Sequence, residues 1–173
     1  MKHTLVALVE NQPGVLMRVA NLFARRGFNI ESFTVGHTET PKLSRMTIVL
    51  DGANTQVEQV IKQLYKLIDV LKVSDVTEDR TIDRELALIK VTASNSTARA
   101  EIVQFADIFR GKIVDVAADS LIVEVTGTEE KVDRFLEIVR PFGIKEMVRT
   151  GMVAMTRGGS VSTRLIDERE AAG

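Results

Sequence analysis

One pattern occurs twice along this chain. Met46, Ile48 and Leu50 alternate with Arg45 and Thr47 as a half-buried strand does, and Val57, Val60, Ile61 and Leu64 follow at helical spacing opposite Glu58, Lys62 and Lys66. Moved along by 75 residues, Met46, Ile48 and Leu50 fall on Leu121, Val123 and Val125, Gly52 falls on Gly127, and Val57 and Leu64 fall on Val132 and Val139. One structural unit is therefore expected twice.

The remaining periodicities complete that unit. Strands are expected near 3–10, 28–37, 43–51 and 70–77, with helices near 14–26 and 54–68. The second half repeats the order, with strands near 86–93, 112–118, 120–126 and 143–150 and helices near 97–110 and 129–140. With right-handed crossovers, βαββαβ closes into a ferredoxin-like sandwich, an antiparallel sheet of four strands with both helices on one face. The expected class is α+β, two tandem ferredoxin-like modules. The expected boundaries are 1–78 for the first module, 79–85 for a charged linker, 86–159 for the second module and 160–173 for a flexible tail. A helix-free sheet face carrying Leu, Val and Ile would be too large an apolar patch to leave bare, so a second copy or a partner protein is expected to cover it.

Composition excludes several kinds of chemistry. The 173 residues contain no cysteine, which removes thiol catalysis, disulfides and thiolate metal sites, and only His3 and His37 could supply imidazole. Both histidines read as surface or strand-end residues, and Glu10 and Glu31 as isolated carboxylates, so no acid–base pair in a cleft is legible. A net charge of -1 gives no general attraction for nucleic acid, and Arg18, Arg25 and Arg26 read as the solvated face of the first helix. Leu5, Ala7, Met46 and Ile48 occupy the central strand positions where a base-stacking module carries aromatics. No apolar run approaches the roughly 20 residues of a membrane span, and Met1-Lys2-His3 leads directly into a strand, so a cytoplasmic protein is expected.

The residues with binding chemistry lie at the first strand–helix junction, Glu10-Asn11-Gln12-Pro13-Gly14-Val15-Leu16. A helix start leaves N–H groups free, its dipole favours a carboxylate, and a glycine lets a bound group approach the backbone closely. Asn11 and Asn29 both donate and accept, which suits an ammonium beside a carboxylate, and Asn29 is expected to meet Asn11 across the turn. An Asx-turn at Asn11 with Pro13 pre-set for the first helical turn accounts for the same tetrapeptide without a ligand. The second half has Ala93-Ser94-Asn95-Ser96-Thr97 here, which caps a helix but lacks the glycine, so a ligand site is expected in the first module only.

The order Asn11-x-x-Gly14-Val15-Leu16 through Phe23, followed by Arg26-Gly27-Phe28-Asn29-Ile30-Glu31-Ser32, resembles the ACT domain, a small module that binds amino acids at dimer interfaces. Further segments are Leu43-Ser44-Arg45-Met46-Thr47-Ile48, Lys62-Gln63-Leu64-Tyr65-Lys66-Leu67-Ile68-Asp69-Val70, Phe109-Arg110-Gly111-Lys112-Ile113-Val114-Asp115-Val116 and Arg149-Thr150-Gly151. Together they make residues from about 3 to 159 resemble the small regulatory subunit of acetohydroxyacid (acetolactate) synthase.

That resemblance implies regulation without catalysis. It implies a homodimer through the ACT domain and a partner, the catalytic large subunit, which carries thiamine diphosphate, Mg and FAD, with no cofactor on this chain. The small subunit raises the partner's activity and confers feedback inhibition, usually by valine. By the family pattern Asn11, Gly14 and Asn29 contact the effector's polar groups, with Val15, Leu16 and Ile30 near its side chain. Leucine or isoleucine would fit the same anchors, because one methylene is worth only about 0.8 kcal/mol. The rival reading is a freestanding ACT-type amino-acid sensor acting on another enzyme. No helix-turn-helix follows the repeat, which weakens a transcriptional version.

Overall fold

A computed structural model describes residues 1–159, 161 and 162. The first half runs β1 (Lys2–Glu10), α1 (Val15–Arg26), β2 (Asn29–His37), β3 (Leu43–Asp51), α2 (Asn54–Leu64) and β4 (Val70–Asp75). The second runs β5 (Thr81–Thr92), α3 (Ser96–Ile108), β6 (Lys112–Val116), β7 (Ser120–Gly127), α4 (Glu129–Val139), β8 (Ile144–Arg149) and β9 (Val153–Thr156). The strand orders are β2-β3-β1-β4 and β6-β7-β5-β8, with β9 also paired to β5. The class is α+β, two tandem ferredoxin-like modules, as the repeat predicts.

The duplicated pattern occupies equivalent places in both sheets. Leu5 pairs with Ile48 in the first, and Ile89 pairs with Val123 in the second. In the first unit Leu5, Ala7, Val9, Met46, Ile48 and Leu50 form the sheet side of the core, under Val15, Val19 and Phe23 of α1 and Val57, Val60 and Leu64 of α2. In the second, Ala87, Ile89, Val91, Leu121, Val123 and Val125 lie under Ile102 and Ala106 of α3 and Val132, Phe135 and Val139 of α4. Edge-to-face rings tighten each core, Phe23 with Phe28 at 6.4 Å and Phe109 with Phe135 at 5.4 Å. Helix α1 stops at Gly27, whose φ of 69° lets its N–H reach Ala24 O while Phe28 N–H reaches Phe23 O.

Three expectations change. Helix α2 ends at Leu64, not at residue 68, because the Tyr65 hydroxyl is fixed on the outer edge of β4, accepting from Val73 N–H at 2.9 Å and donating to Val73 O at 3.0 Å. From there the chain continues in tighter three-residue turns, Lys66 N–H to Gln63 O and Leu67 N–H to Leu64 O. Residues 81–85, expected within a linker, are the start of β5. The second module, expected over 86–159, ends sooner: β9 begins at Val153, and contacts group the described residues from Ala154 onward with the first unit and Asp83–Val153 as the second. The tail expected at 160–173 lies outside the described residues apart from Val161 and Ser162.

That return alters the argument about the helix-free face of the first sheet. The face carries Thr4, Thr34, Thr47 and Ser74 beside Val6, Leu8 and Val49, so it is less apolar than expected. Part of its cover comes from this chain: the Arg45 guanidinium donates to Ala154 O, and the Ser74 hydroxyl donates to Ser162 O. Val6, Leu8, Thr47 and Val49 are all buried. The need for a second copy on that face, inferred from an apolar surface, therefore loses its premise.

Tyr65→Phe removes one hydroxyl that serves both a donor and an acceptor of the β4 edge. A loss of about 1–2 kcal/mol is expected, read as a lower urea midpoint with an unchanged slope.

Candidate functional site

The β1–α1 junction is built from two tight turns. Asn11 N–H donates to Lys42 O at 2.8 Å, and Gln12 N–H closes back on Glu10 O at 3.0 Å. Val15 N–H then donates to Gln12 O, with Pro13 and Gly14 as the central residues and Gly14 at φ 85°, ψ -7°. That is a type II turn, whose third position requires positive φ. Pro13 thus sits in the turn before the helix, and glycine is demanded by the backbone, not merely tolerated.

The turn leaves the start of α1 open. Gly14 has no side chain to cap it, no acidic residue lies in the first turn, and the N–H groups of Gly14, Leu16 and Met17 have no acceptor among the described residues. In the second unit the corresponding end is closed, since Asn95 Oδ1 accepts from Ala98 N–H at 2.8 Å. Helix α4 is capped by Thr128 and carries Glu129 and Glu130 in its first turn. The difference expected between the halves is present in the backbone.

Arg18 was read as solvated surface, yet it belongs to this junction. From one turn into α1 its side chain runs back toward the N-terminus, and a Cβ built on Gly14 would lie 2.9 Å from Arg18 Nη1. Nε and Nη2 hold Asp69 Oδ2 at 2.8 and 2.6 Å. Asp69 is buried, and its carbonyl accepts from Glu10 N–H at 2.8 Å, so the ion pair ties α1 to the ends of β1 and β4. The signal available in sequence was the spacing of four residues between Gly14 and Arg18.

Asn29 and Ile30 are elsewhere in the chain. Glu10 pairs with Leu43 at the start of β3, whereas Asn29 pairs with Asp51 at its end, so a strand's length of roughly 25 Å separates Asn29 from Asn11. The expected meeting across the turn does not occur within one chain. The reason is topological: β1 and β2 both run antiparallel to β3, and α1 carries the chain the full length of the sheet between them. Asn11, Gly14 and Leu16 are exposed together at one end, with Val15 turned into the core. Asn29 is exposed at the other end and Ile30 packs against the core.

A polar cleft of about 420 Å³ lies at the Asn29 end, lined by Arg26, Asn29, Asp51, Gln56 and Gln63 among others. Asn29 Nδ2 donates to Glu31 Oε1 at 3.0 Å. The terminal ammonium donates to Asp51 and is the chief reason that carboxyl is held below its ordinary value.

Of its two expected placements, surface or strand end, His3 takes the second, near the start of β1, and is buried there with Nδ1 3.8 Å from Asp75 Oδ2. His37 is exposed at the end of β2. Among the described residues no three metal-ligating side chains cluster, and no helix is long and apolar enough to cross a membrane. In the second unit Arg149 joins β8 to β5 and α4 through Glu85 and Asp133. Burial works against the charge of that guanidinium, and its hydrogen bonds to Glu85 and Asp133 outweigh burial and raise its pKa.

Known proteins match this architecture along the chain. A family model described as the AHAS small subunit-like ACT domain matches residues 5–72, and one described as the small subunit of acetolactate synthase matches 84–158. The chain is 58% identical over 156 residues to a probable acetolactate synthase small subunit of Methanothermobacter thermautotrophicus, covering 90% of this chain and 93% of that one. It is 61% identical over 158 residues to the corresponding protein of Archaeoglobus fulgidus, covering 91% and 98%. The crystal structure of the acetolactate synthase small subunit from Thermotoga maritima superposes with a TM-score of 0.84 at 46% identity, covering 92% of this chain and 99% of that one. With the uncapped ACT-type turn in its first module and near full-length relatives, the chain belongs to the acetolactate synthase small-subunit family.

Proposed function

We propose that this chain is the non-catalytic regulatory subunit of an acetolactate synthase, which stimulates a catalytic large subunit and confers feedback inhibition by valine or another branched-chain amino acid. Thiamine diphosphate, Mg and FAD belong to the catalytic partner in this reading, and the assembly works in the cytoplasm. The observation that carries it is the open start of α1, where three N–H groups at the positive end of a helix are offered to a carboxylate. A freestanding sensor would use the same turn, but the named relatives are subunits of acetolactate synthase.

The effector site is proposed to form between two copies. Strand β2 is a border of the first sheet, and Leu16, Met17 and Val35 are exposed large apolar residues of this module. Antiparallel pairing of β2 with β2 of a second copy brings Asn29 of that copy to the His37 end. Asn11 and Gly14 lie at that same end, because Asn11 bonds Lys42 and His37 pairs with Ser44. Asn11, Gly14 and Leu16 would then come from one chain, Asn29 and Ile30 from the other, with Val15 acting by packing beneath the turn. In this reading residues 1–78 hold the effector.

The isolated chain is expected to form no acetolactate from pyruvate, to raise the rate of its cognate catalytic subunit, and to make that rate fall with valine. Pyruvate turnover by the chain alone, or no rate change on mixing, refutes the proposal. Gly14→Asp should keep the fold at a cost in stability, because aspartate is among the residues that enter positive φ least unfavourably and the flexible end of Arg18 can shift from the new Cβ, while its carboxylate would occupy the effector's place. Saturation at about 100 times the dissociation constant adds roughly 2.7 kcal/mol, a melting shift of about 5–10 °C for a chain this size. That shift should vanish in Gly14→Asp while stimulation of the partner persists.

The split between copies has its own test. Asn11→Ala and Asn29→Ala chains should each lose the valine response, and mixed dimers of the two should regain one intact site. Light scattering showing only monomer at micromolar concentration, or no recovery in the mixture, counts against the shared site.

A further inference from the structure

We propose that Arg18 is the side-chain receptor for the effector's carboxylate and that Asp69 sets its strength by competing for the same guanidinium. The inference rests on the effector site proposed above and adds to it a residue pair outside the family-derived set.

Three features point to it. Arg18 is a cation returned to the positive end of its own helix, where the dipole disfavours it. Asp69, with its side chain largely buried, is its carboxylate partner. The pairing uses Nε and Nη2 on one oxygen of Asp69, so Nη1, lying over Gly14, has no acceptor among the described residues. The Arg18 side chain is 46% exposed, which leaves the guanidinium within reach of a solvent-borne ligand. A carboxylate set against the N–H groups of Leu16 and Met17 thus meets Nη1 on its flank, giving one charged donor beside neutral ones. The junction carries the guanidinium and the helix end against a single buried carboxylate. Asp69 fixes the guanidinium in position and also draws off part of its field. Arg18 is in this sense a binding residue and Asp69 a positioning residue that opposes the ligand.

Substitutions at the two positions should therefore act in opposite directions on valine affinity. In the full chain assembled with its cognate catalytic subunit, Arg18→Ala should raise the half-inhibitory valine concentration about ten- to a hundredfold, the usual range for one charged hydrogen bond. Asp69→Asn should lower it severalfold. Valinamide, which keeps the ammonium and side chain but lacks the carboxylate charge, separates recognition from scaffolding. Its dissociation constant should change little in Arg18→Ala, so the preference for valine over valinamide should narrow by the same roughly ten- to hundredfold. Arg18→Lys, which keeps the charge and a bond to Asp69 but loses the fork, should fall between wild type and Arg18→Ala and guards against failure to fold. Equal weakening of valine and valinamide, or weaker valine binding in Asp69→Asn, overturns the proposal. If Gly14→Asp abolishes the valine response and Arg18→Ala does not alter it, this inference fails alone. If neither variant changes it, the effector site itself is wrong.

Discussion

Helix α1 begins on a residue that has no side chain to offer it. The type II turn over Gln12 to Val15 needs positive φ at Gly14, and the residue that meets this demand cheaply is the one unable to cap. Three amides and the positive end of the helix dipole, equivalent to about half an elementary charge, are consequently left facing outward. The second module shows the alternative: Asn95 enters α3 with φ -147°, an extended conformation open to any residue, and its amide oxygen closes the helix. Two copies of one fold thus differ at the start of this helix because of one dihedral angle. The cores beneath them differ far less.

Around the open end, charge is arranged to be held but not cancelled. Burying Asp69 would be costly without a partner, and Arg18 supplies one from the helix it faces. The pair also fixes a seam of backbone, since Asp69 accepts from Glu10 at the end of β1 just before β4 begins. A change in the position of the Arg18 guanidinium is therefore felt by two strands of the sheet. In the second unit Arg149, held by Glu85 and Asp133, makes a comparable tie between β8, β5 and α4, with both carboxylates supplied from within. One tie has an unused nitrogen beside an open helix end; the other spends its donors on internal partners.

Much of the fold was legible because burial imposes a period. Met46, Ile48 and Leu50 had to share a face, Val57 and Leu64 had to share a stripe, and the offset of 75 residues forced the second module to repeat the first. Chain reversals were harder to read. Tyr65 continues a helical pattern in sequence, yet its hydroxyl is drawn to the edge of β4, a long-range contact that local spacing does not encode. The return of Ala154 to the first unit is equally non-local. At the junction, Asn11 and Gly14 were legible because turns are written in short motifs. Arg18 was masked by Arg25 and Arg26, which share its charge on the same helix. The separation of Asn29 from Asn11 followed from strand direction, which becomes visible only when β3 is placed between β1 and β2.

The hydroxyl of Tyr65 has an effect beyond the helix it ends. A four-stranded sheet has two open borders, and each could recruit a foreign strand without limit, end on end. On β4 the outward N–H and C=O of Val73 are already occupied by that hydroxyl. The other border of this sheet is β2. In the pairing proposed above, a twofold contact through β2 uses up that border of both participants. Such a contact closes on itself: the first sheet of each copy meets one partner through β2, while the Val73 groups on its far border are already engaged.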